Sequence, residues 1–250
     1  MKKVCWAGCS FTVGEGFDQS QQNLVYTQLV SQECDFVSTN IAVRGNSNYK
    51  IFLSACKAVV SQQFDIVFVQ WSGLNRIWLH PGPETVFFAS ENIRPDYRYR
   101  DLYLDPAQKK NLCEWLLRLN HDYQNIVDLI DYCNILERMQ SSNTKVVFIN
   151  GLVPWTNDLT KPLDKSNLSK TLSKYTKEIL DFDQRDDDEI IKYFTFLQDK
   201  FSTLNIDLWV NIFDSFLSHM IDFSPVGHHP GQQSHKWMAQ QVSKYIKLNF

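Results

Sequence analysis

The chain has 250 residues, a formal net charge of −3 and a hydrophobic content of 44%, values that fit one globular domain. A weakly acidic chain lacks the basic excess that nucleic-acid binding needs, so we expect no nucleic-acid partner. Its apolar runs are shorter than the ~20 residues that span a membrane, so we expect no membrane partner, and the oligomeric state stays open.

The cysteines are dispersed and lack the CxxC spacing of zinc sites. They are Cys5, Cys9, Cys34, Cys56, Cys113 and Cys133. We therefore predict that most of them are small buried thiols and that no metal is bound, and we expect no cofactor. The N-terminus has only a short apolar stretch, which indicates a strand and not a signal peptide. Both features favour a reducing, cytoplasmic location, unless the protein is delivered as part of an assembly.

The first predicted strand covers Lys2 to Ala7 and runs directly into a turn of small and polar residues at 8–16. This turn contains Ser10. In open α/β sheets, ligands bind at the carboxyl ends of the strands, so the turn is a candidate site.

The second predicted strand, residues 35–43, ends in a turn at 44–48 that contains Gly45. Within that turn Ser47 is a typical helix cap, and an apolar stripe from Ile51 to Val59 follows it.

A third strand is predicted at 65–71, where a nearly continuous apolar run is typical of a strand covered on both faces. Its turn, residues 72–76, contains Asn75. Residues 77–105 then form an irregular excursion rich in proline, arginine and tyrosine, with a short hairpin as one option. The pair Asp105-Pro106 predicts the start of the longest helix, which runs to about Met139.

The rest of the chain continues the alternation of strands and helices. It comprises a fourth strand at 144–150, a second excursion at 152–167, helical stretches near 166–180 and 187–203, a fifth strand at 207–211, a loop at 225–231 and a helix at 232–248. The pattern predicts a single domain over residues 1–250. We expect a three-layer α/β/α sandwich with a five-stranded, mostly parallel sheet of flavodoxin-like order.

Four of the predicted turns should meet at one edge of this sheet, at 8–16, 44–48, 72–76 and 222–231. Their motifs are Gly8-Cys9-Ser10-Phe11-Thr12, Gly45, Gly73-Leu74-Asn75 and His229-Pro230. In this order the motifs resemble those of the SGNH hydrolases, also called the GDSL esterase/lipase superfamily, over nearly the whole chain. The resemblance implies the SGNH hydrolase fold and activity on ester bonds.

The resemblance also implies a role for each matching residue. Ser10 would be the nucleophile and His229 its general base, with His228 as the alternative base. The backbone N–H groups of Ser10 and Gly45, with the Asn75 side chain, would form the oxyanion hole. A serine hydroxyl needs a positioned imidazole to take its proton, and the tetrahedral intermediate needs fixed donors for its negative charge.

Two positions depart from the family pattern. Cys9 stands where the family has the Asp of its GDS motif, and Val226 stands where the Asp that orients the histidine is expected. Asp222, seven residues before His229, is the candidate replacement. Otherwise a backbone carbonyl would orient the ring, which would leave a Ser-His dyad.

We therefore predict a serine ester hydrolase that acts through a Ser10 acyl-enzyme on a small-molecule or glycan ester, such as an O-acetyl group on a sugar. Two alternatives stay open, namely an SGNH-fold protein of weak or no activity that binds a carbohydrate or a partner, and an acyltransferase with the same nucleophile. A phosphate or flavin binder is less well supported, because Glu15 and not Lys follows Gly14.

Overall fold

The computed structural model describes residues 1–74, 76–79, 86–89, 122–152, 155–180, 182–224 and 229–250. Its helices and strands are β1 (Lys2–Ala7), α1 (Ser10–Val13), α2 (Tyr26–Glu33), β2 (Phe36–Asn40), α3 (Asn48–Ser61), β3 (Ile66–Trp71), β4 (Arg76–Leu79), β5 (Val86–Ala89), α4 (Asp122–Met139), β6 (Lys145–Asn150), α5 (Leu168–Thr171), α6 (Lys174–Ile179), α7 (Asp187–Ser202) and α8 (Gln232–Asn249).

The chain divides into two compact units. The first comprises Met1–Gly73, Cys133–Pro154 and Asn205–Phe250, and the second comprises Leu74–Tyr132 and Trp155–Leu204. That residues 1–250 form a single domain stays a prediction. None of the helices in the described ranges is long and apolar enough to cross a membrane.

A four-stranded sheet forms the centre of the first unit, in the order β2-β1-β3-β6 with every neighbouring pair parallel. Parallel strands need crossover connections, and α3 provides one between β2 and β3. The central strands are buried, and the Trp6 ring on β1 stacks on Phe68 of β3 at 4.2 Å. The predicted α/β fold with a parallel sheet of flavodoxin-like order is thus confirmed.

The predicted fifth strand at 207–211 is wrong in extent. A 3₁₀ turn at Ile206–Leu208 replaces its first half, because the Asn205 side chain accepts a hydrogen bond from the Asp207 N–H at 3.2 Å and folds the chain locally. Within the described residues, an isolated parallel bridge between Phe148 and Trp209 is all that extends the sheet beyond β6.

Most predicted helices of the first unit are present. Ser47 caps α3 by accepting from the Lys50 N–H, as its sequence position suggests, and the final helix, α8, is found at Gln232–Asn249. The helix α2 was not anticipated. It packs on α8, where Lys247 pairs with Glu33 at 2.5 Å.

In the second unit, β4 and β5 form the hairpin considered for the first excursion, with Arg76 opposite Ala89. The remainder of that excursion and the predicted start of the long helix at 106–121 lie outside the described residues. The helix α7 begins as predicted, with Asp186 accepting from the Glu189 N–H at 2.9 Å. The second excursion contains a 3₁₀ segment at Asn157–Thr160.

Candidate active site

Ser10 is the first residue of α1 and follows the end of β1 by three positions. Its side chain is buried, and the Cys9 carbonyl accepts hydrogen bonds from both Thr12 and Val13 at 3.1 Å. The Ser10 carbonyl accepts from the Glu15 N–H at 2.9 Å. These bonds fold residues 9–15, the Ser10 turn, tightly at the carboxyl end of β1, which is the predicted position.

Thr12 fixes the Ser10 turn to the sheet. Its hydroxyl donates to Gln70 on β3 and accepts from Tyr26, 3.5 Å away, and it is completely buried. Burial raises the pKa of Tyr26, so the phenol stays neutral and keeps its proton for this contact. A Cβ at Gly8 would lie 1.9 Å from Thr12 Oγ1, so the approach requires glycine at this position.

The end of β2 and the turn that contains Gly45 are hydrogen-bonded to residues in and just before the Ser10 turn. Asn46 Nδ2 donates to the Gly8 carbonyl at 3.1 Å, and Asn40 Nδ2 donates to the Thr12 carbonyl at 2.8 Å. Gly45 itself is buried and has a φ of 71°, a conformation that favours glycine. The structure therefore brings the predicted Gly45 next to the turn of the predicted nucleophile.

The start of the third turn is held in the same way by Asn48. Its Oδ1 accepts from the Ser72 N–H at 2.7 Å, and its Nδ2 lies 3.4 Å from the carbonyls of both Ser72 and Gly73. Asn75 lies outside the described residues. Sequence reasoning missed Asn46 and Asn48, although two amides on either side of the helix cap Ser47 are a recognisable signal.

His229 lies against the Ser10 turn. Its ring meets the Phe11 ring edge-on at 5.9 Å, and its Nε2 lies 3.2 Å from the Oε2 of Glu15. Both side chains of the pair are mostly buried, at 19% exposure for His229 and 27% for Glu15. The Ser224 N–H donates to the His229 carbonyl at 2.8 Å and fixes its backbone. Glu15 was not among the predicted site residues.

The alternative base, His228, and the departure from the family pattern, Val226, both lie outside the described residues. Of the predicted catalytic set, Ser10, Gly45 and His229 are thus placed at or beside one turn.

Asp222 is hydrogen-bonded to the first turn of α8. Its Oδ1 accepts from the Ser234 N–H and hydroxyl at 2.8 Å, and its Oδ2 accepts from the Gln233 N–H at 3.0 Å. Burial alone would raise the pKa of Asp222, but these bonds lower it below its usual value. A Cβ at Gly231 would lie 2.6 Å from the carboxylate, so glycine gives the carboxylate room to reach the helix. The contacts are those of a helix cap.

His235 on α8 is a further histidine of the first unit. It is completely buried between aromatic rings, with Tyr26 stacked at 5.8 Å and Phe17 and Phe216 edge-on at 5.1 Å. Its Nδ1 accepts from the Tyr26 N–H at 3.2 Å. Burial lowers the pKa of His235 to about 3, so the ring is neutral and its role is structural.

Within the described ranges, no group of three or more His, Cys, Asp or Glu side chains is arranged to hold a metal ion. The absence of a metal and of a cofactor stays a prediction from the sequence.

Neither the protein-family models nor the curated proteins include a match to this chain. Among solved structures, a lipolytic protein assigned to the G-D-S-L family from Desulfitobacterium hafniense aligns over 98% of this chain and 99% of its own, at 12% identity and a TM-score of 0.43. A lipase/acylhydrolase from Enterococcus faecalis aligns over 99% and 96%, at 13% identity and a TM-score of 0.45.

An acetyl xylan esterase from Butyrivibrio proteoclasticus aligns over 99% of this chain and 64% of its own, at 12% identity and a TM-score of 0.49. The parallel order β2-β1-β3-β6 and the position of Ser10, three residues after the end of β1, fit the SGNH hydrolase fold that the motifs predict.

Proposed function

We propose that the protein is a serine ester hydrolase in which Ser10 is the nucleophile and His229 the general base. The observation that carries the proposal is the position of His229, which reaches back from the segment before α8 to contact Phe11 and Glu15, both within the Ser10 turn. A nucleophile and its base must lie in the same small region for proton transfer, and residues distant in the sequence meet here.

The reaction needs two displacements at one acyl carbon. Ser10 Oγ attacks the ester carbonyl and gives its proton to the His229 ring, and the carbonyl electrons move onto the oxygen. As the tetrahedral intermediate collapses, the ring returns the proton to the departing alkoxide and the acyl group stays on Ser10. Water then repeats the sequence and releases the carboxylic acid.

The oxyanion donors proposed for this step are the backbone N–H groups of Ser10 and Gly45, with the Asn75 side chain. The bond from Asn46 to the Gly8 carbonyl supports the first two, because it fixes the Gly45 turn to the residue two positions before Ser10. Donors fixed in advance stabilise the developing charge without reorganisation, and the loss of one typically costs roughly 10²–10³ in rate.

For the substrate, we propose a small acyl ester, with O-acetyl groups on sugars as the first class. The support is the aromatic and arginine-rich sequence of residues 77–105, since aromatic faces suit sugar rings and no long apolar run of a lipid-binding lid is present in that stretch.

A fluorophosphonate probe tests the nucleophile directly. We expect one covalent adduct on Ser10 in the folded wild type, and no adduct in Ser10→Ala or after denaturation. A folded wild type without an adduct on Ser10 would overturn the mechanism. Acetyl, butyryl and octanoyl p-nitrophenyl esters, acetylated xylo-oligosaccharides and added alcohol acceptors then identify the acyl length and separate hydrolysis from acyl transfer.

A second candidate function is binding without catalysis on the same fold. The observation that favours it is the hydrogen bonding of Asp222, whose two carboxylate oxygens are engaged by α8, together with Val226 at the position where the family has its orienting Asp. Calorimetric binding of an acetylated oligosaccharide that remains intact after prolonged incubation would favour this candidate.

A further inference from the structure

We propose that Glu15 is the positioning residue of His229, the carboxylate that orients the imidazole and stabilises its protonated form. This inference rests on the proposed function, because it assigns the partner of the proposed base. It also replaces Asp222 in that role.

The contact between the two side chains is short and mostly buried. His229 Nε2 lies 3.2 Å from Glu15 Oε2, within reach of a charge-assisted contact. Since both side chains are largely withdrawn from solvent, the interaction is screened less than a surface pair would be.

Glu15 is held in place by the same turn that holds the nucleophile. Its N–H donates to the Ser10 carbonyl at 2.9 Å, so the two residues share one hydrogen-bonded loop. Glycines with positive φ flank it, Gly14 at 75° and Gly16 at 99°, and a Cβ at Gly14 would lie 2.2 Å from Val25. The backbone of Glu15 is therefore fixed relative to Ser10, as orientation of a catalytic base requires.

The competing carboxylate is already engaged. Asp222 accepts three hydrogen bonds from Gln233 and Ser234 at the start of α8, and a reorientation toward His229 would break them. His235 of α8, which is buried and neutral, also interacts electrostatically with His229. Glu15, by contrast, is in contact with the ring, at 3.2 Å.

The contact also specifies which ring nitrogen does the chemistry. With the Glu15 carboxyl group accepting the Nε2–H, the neutral ring keeps its lone pair on Nδ1, so Nδ1 takes the Ser10 proton and later returns it to the leaving alkoxide. In the intermediate both nitrogens carry protons, and the carboxylate lies beside the positive ring. Glu15 does not itself accept that proton.

The experiment compares fluorophosphonate labelling rates across pH for wild type, Glu15→Gln, Glu15→Asp and Asp214→Asn. The last is a matched control, because Asp214 pairs with another histidine, His219, at 2.5 Å. Thermal unfolding verifies that each variant folds. In parallel, NMR follows the pH titration of the His229 ring C–H signal, identified by its loss in His229→Asn.

We expect Glu15→Gln to lower the labelling rate constant roughly 10²–10⁴-fold, by analogy with the loss of the orienting acid in serine proteases. Its pH midpoint should move toward acid, because the carboxylate no longer favours the protonated ring. Glu15→Asp should restore part of the rate, and Asp214→Asn should label at the wild-type rate.

Each remaining outcome is decisive. Labelling of Glu15→Gln at the wild-type rate, or faster, overturns the role of Glu15 while the proposed function survives. If the wild type itself is not labelled, the proposed function fails, and the NMR titration alone then decides the contact. Equal His229 midpoints in wild type and Glu15→Gln would show that Glu15 does not hold the ring.

Discussion

The first unit contains two histidine–carboxylate pairs of the same composition. They differ in sequence separation, in burial and in position relative to Ser10. The pair of His229 and Glu15 joins segments far apart in the sequence, is mostly buried and lies at the Ser10 turn. The pair of His219 and Asp214 joins residues five apart, and the His219 side chain is 43% exposed. A short distance alone therefore does not identify a catalytic pair, because the local pair has the shorter contact.

The surroundings of the local pair explain its role. Asp214 also accepts from the N–H of Ser215 at 2.9 Å and from Asn211 at 3.3 Å, and the His219 ring stacks on Trp237 at 4.2 Å. These contacts close the turn at residues 211–219 and pack it against α8. The distant pair instead brings an imidazole to the turn of a buried serine hydroxyl.

The sharpest test of this contrast exchanges each histidine for asparagine. His229→Asn should reduce ester hydrolysis by roughly 10⁴–10⁶-fold, because the proposed base is lost and catalytic groups of this kind act as a unit. His219→Asn should change kcat/KM by less than about 3-fold, because the His219 ring contacts Trp237 and Asp214, and neither belongs to the proposed catalytic set. Steady-state hydrolysis of p-nitrophenyl acetate measures both, and similar losses in the two variants would contradict the comparison.

Much of this arrangement could be predicted from the sequence because its signals are local. The apolar run of β1 followed by small residues places Ser10 at a strand end, and the cap at Ser47 marks the start of α3. Both depend on neighbours within a few positions, which a single sequence displays.

The contacts that complete the site join residues that are distant in the sequence, and for that reason they were not predicted. Glu15 and His229 lie far apart in the sequence and meet in the folded chain, and Asp222 reaches α8 through a loop whose path the sequence does not specify. The clue for Glu15 was its place between Gly14 and Gly16, where positive φ fixes the turn. The prediction of the fifth strand was wrong for a different reason. The Asn205 side chain accepts a hydrogen bond from the backbone N–H of Asp207, which competes with strand formation.

A third histidine, His235, extends the comparison because aromatic rings surround it where the other two have carboxylates. Burial lowers its pKa to about 3 in the folded state, against an ordinary value of 6.5. Between these values the unfolded chain binds a proton that the folded chain does not, so stability falls as the pH decreases from about 6.5 toward 3. The expected slope from this residue is about 1.4 kcal/mol per pH unit.

Urea unfolding at successive pH values measures this slope in the wild type and in His235→Gln, which retains an acceptor for the Tyr26 N–H and does not titrate. The variant should lose most of the slope above pH 4, whatever its stability at pH 7. Parallel profiles of the two proteins would show that His235 is not the buried neutral group.

Replacing Asp222 tests whether its carboxylate caps α8 or orients the His229 ring. Asp222→Ala should lower the free energy of unfolding by about 1–2 kcal/mol, because it removes the acceptor for two N–H groups at the start of α8. At a temperature where the variant is fully folded, we expect the fluorophosphonate labelling rate of Ser10 to stay within about 5-fold of wild type. Denaturant titration and labelling measure the two effects separately, and a loss as large as that of Glu15→Gln would return the orienting role to Asp222.

The smallest effect is expected where the histidine–carboxylate distance is shortest. Asp214→Asn retains the size of the side chain and removes its charge, and a half-exposed ion pair contributes at most about 1 kcal/mol because solvent screens it. The free energy of unfolding should therefore fall by less than about 1 kcal/mol, and the fall should diminish as NaCl is raised from 0.05 to 1 M. A larger, salt-independent loss would mean that the local pair stabilises the fold by more than a surface contact can. The two pairs would then differ only in that His229 and Glu15 lie at the Ser10 turn.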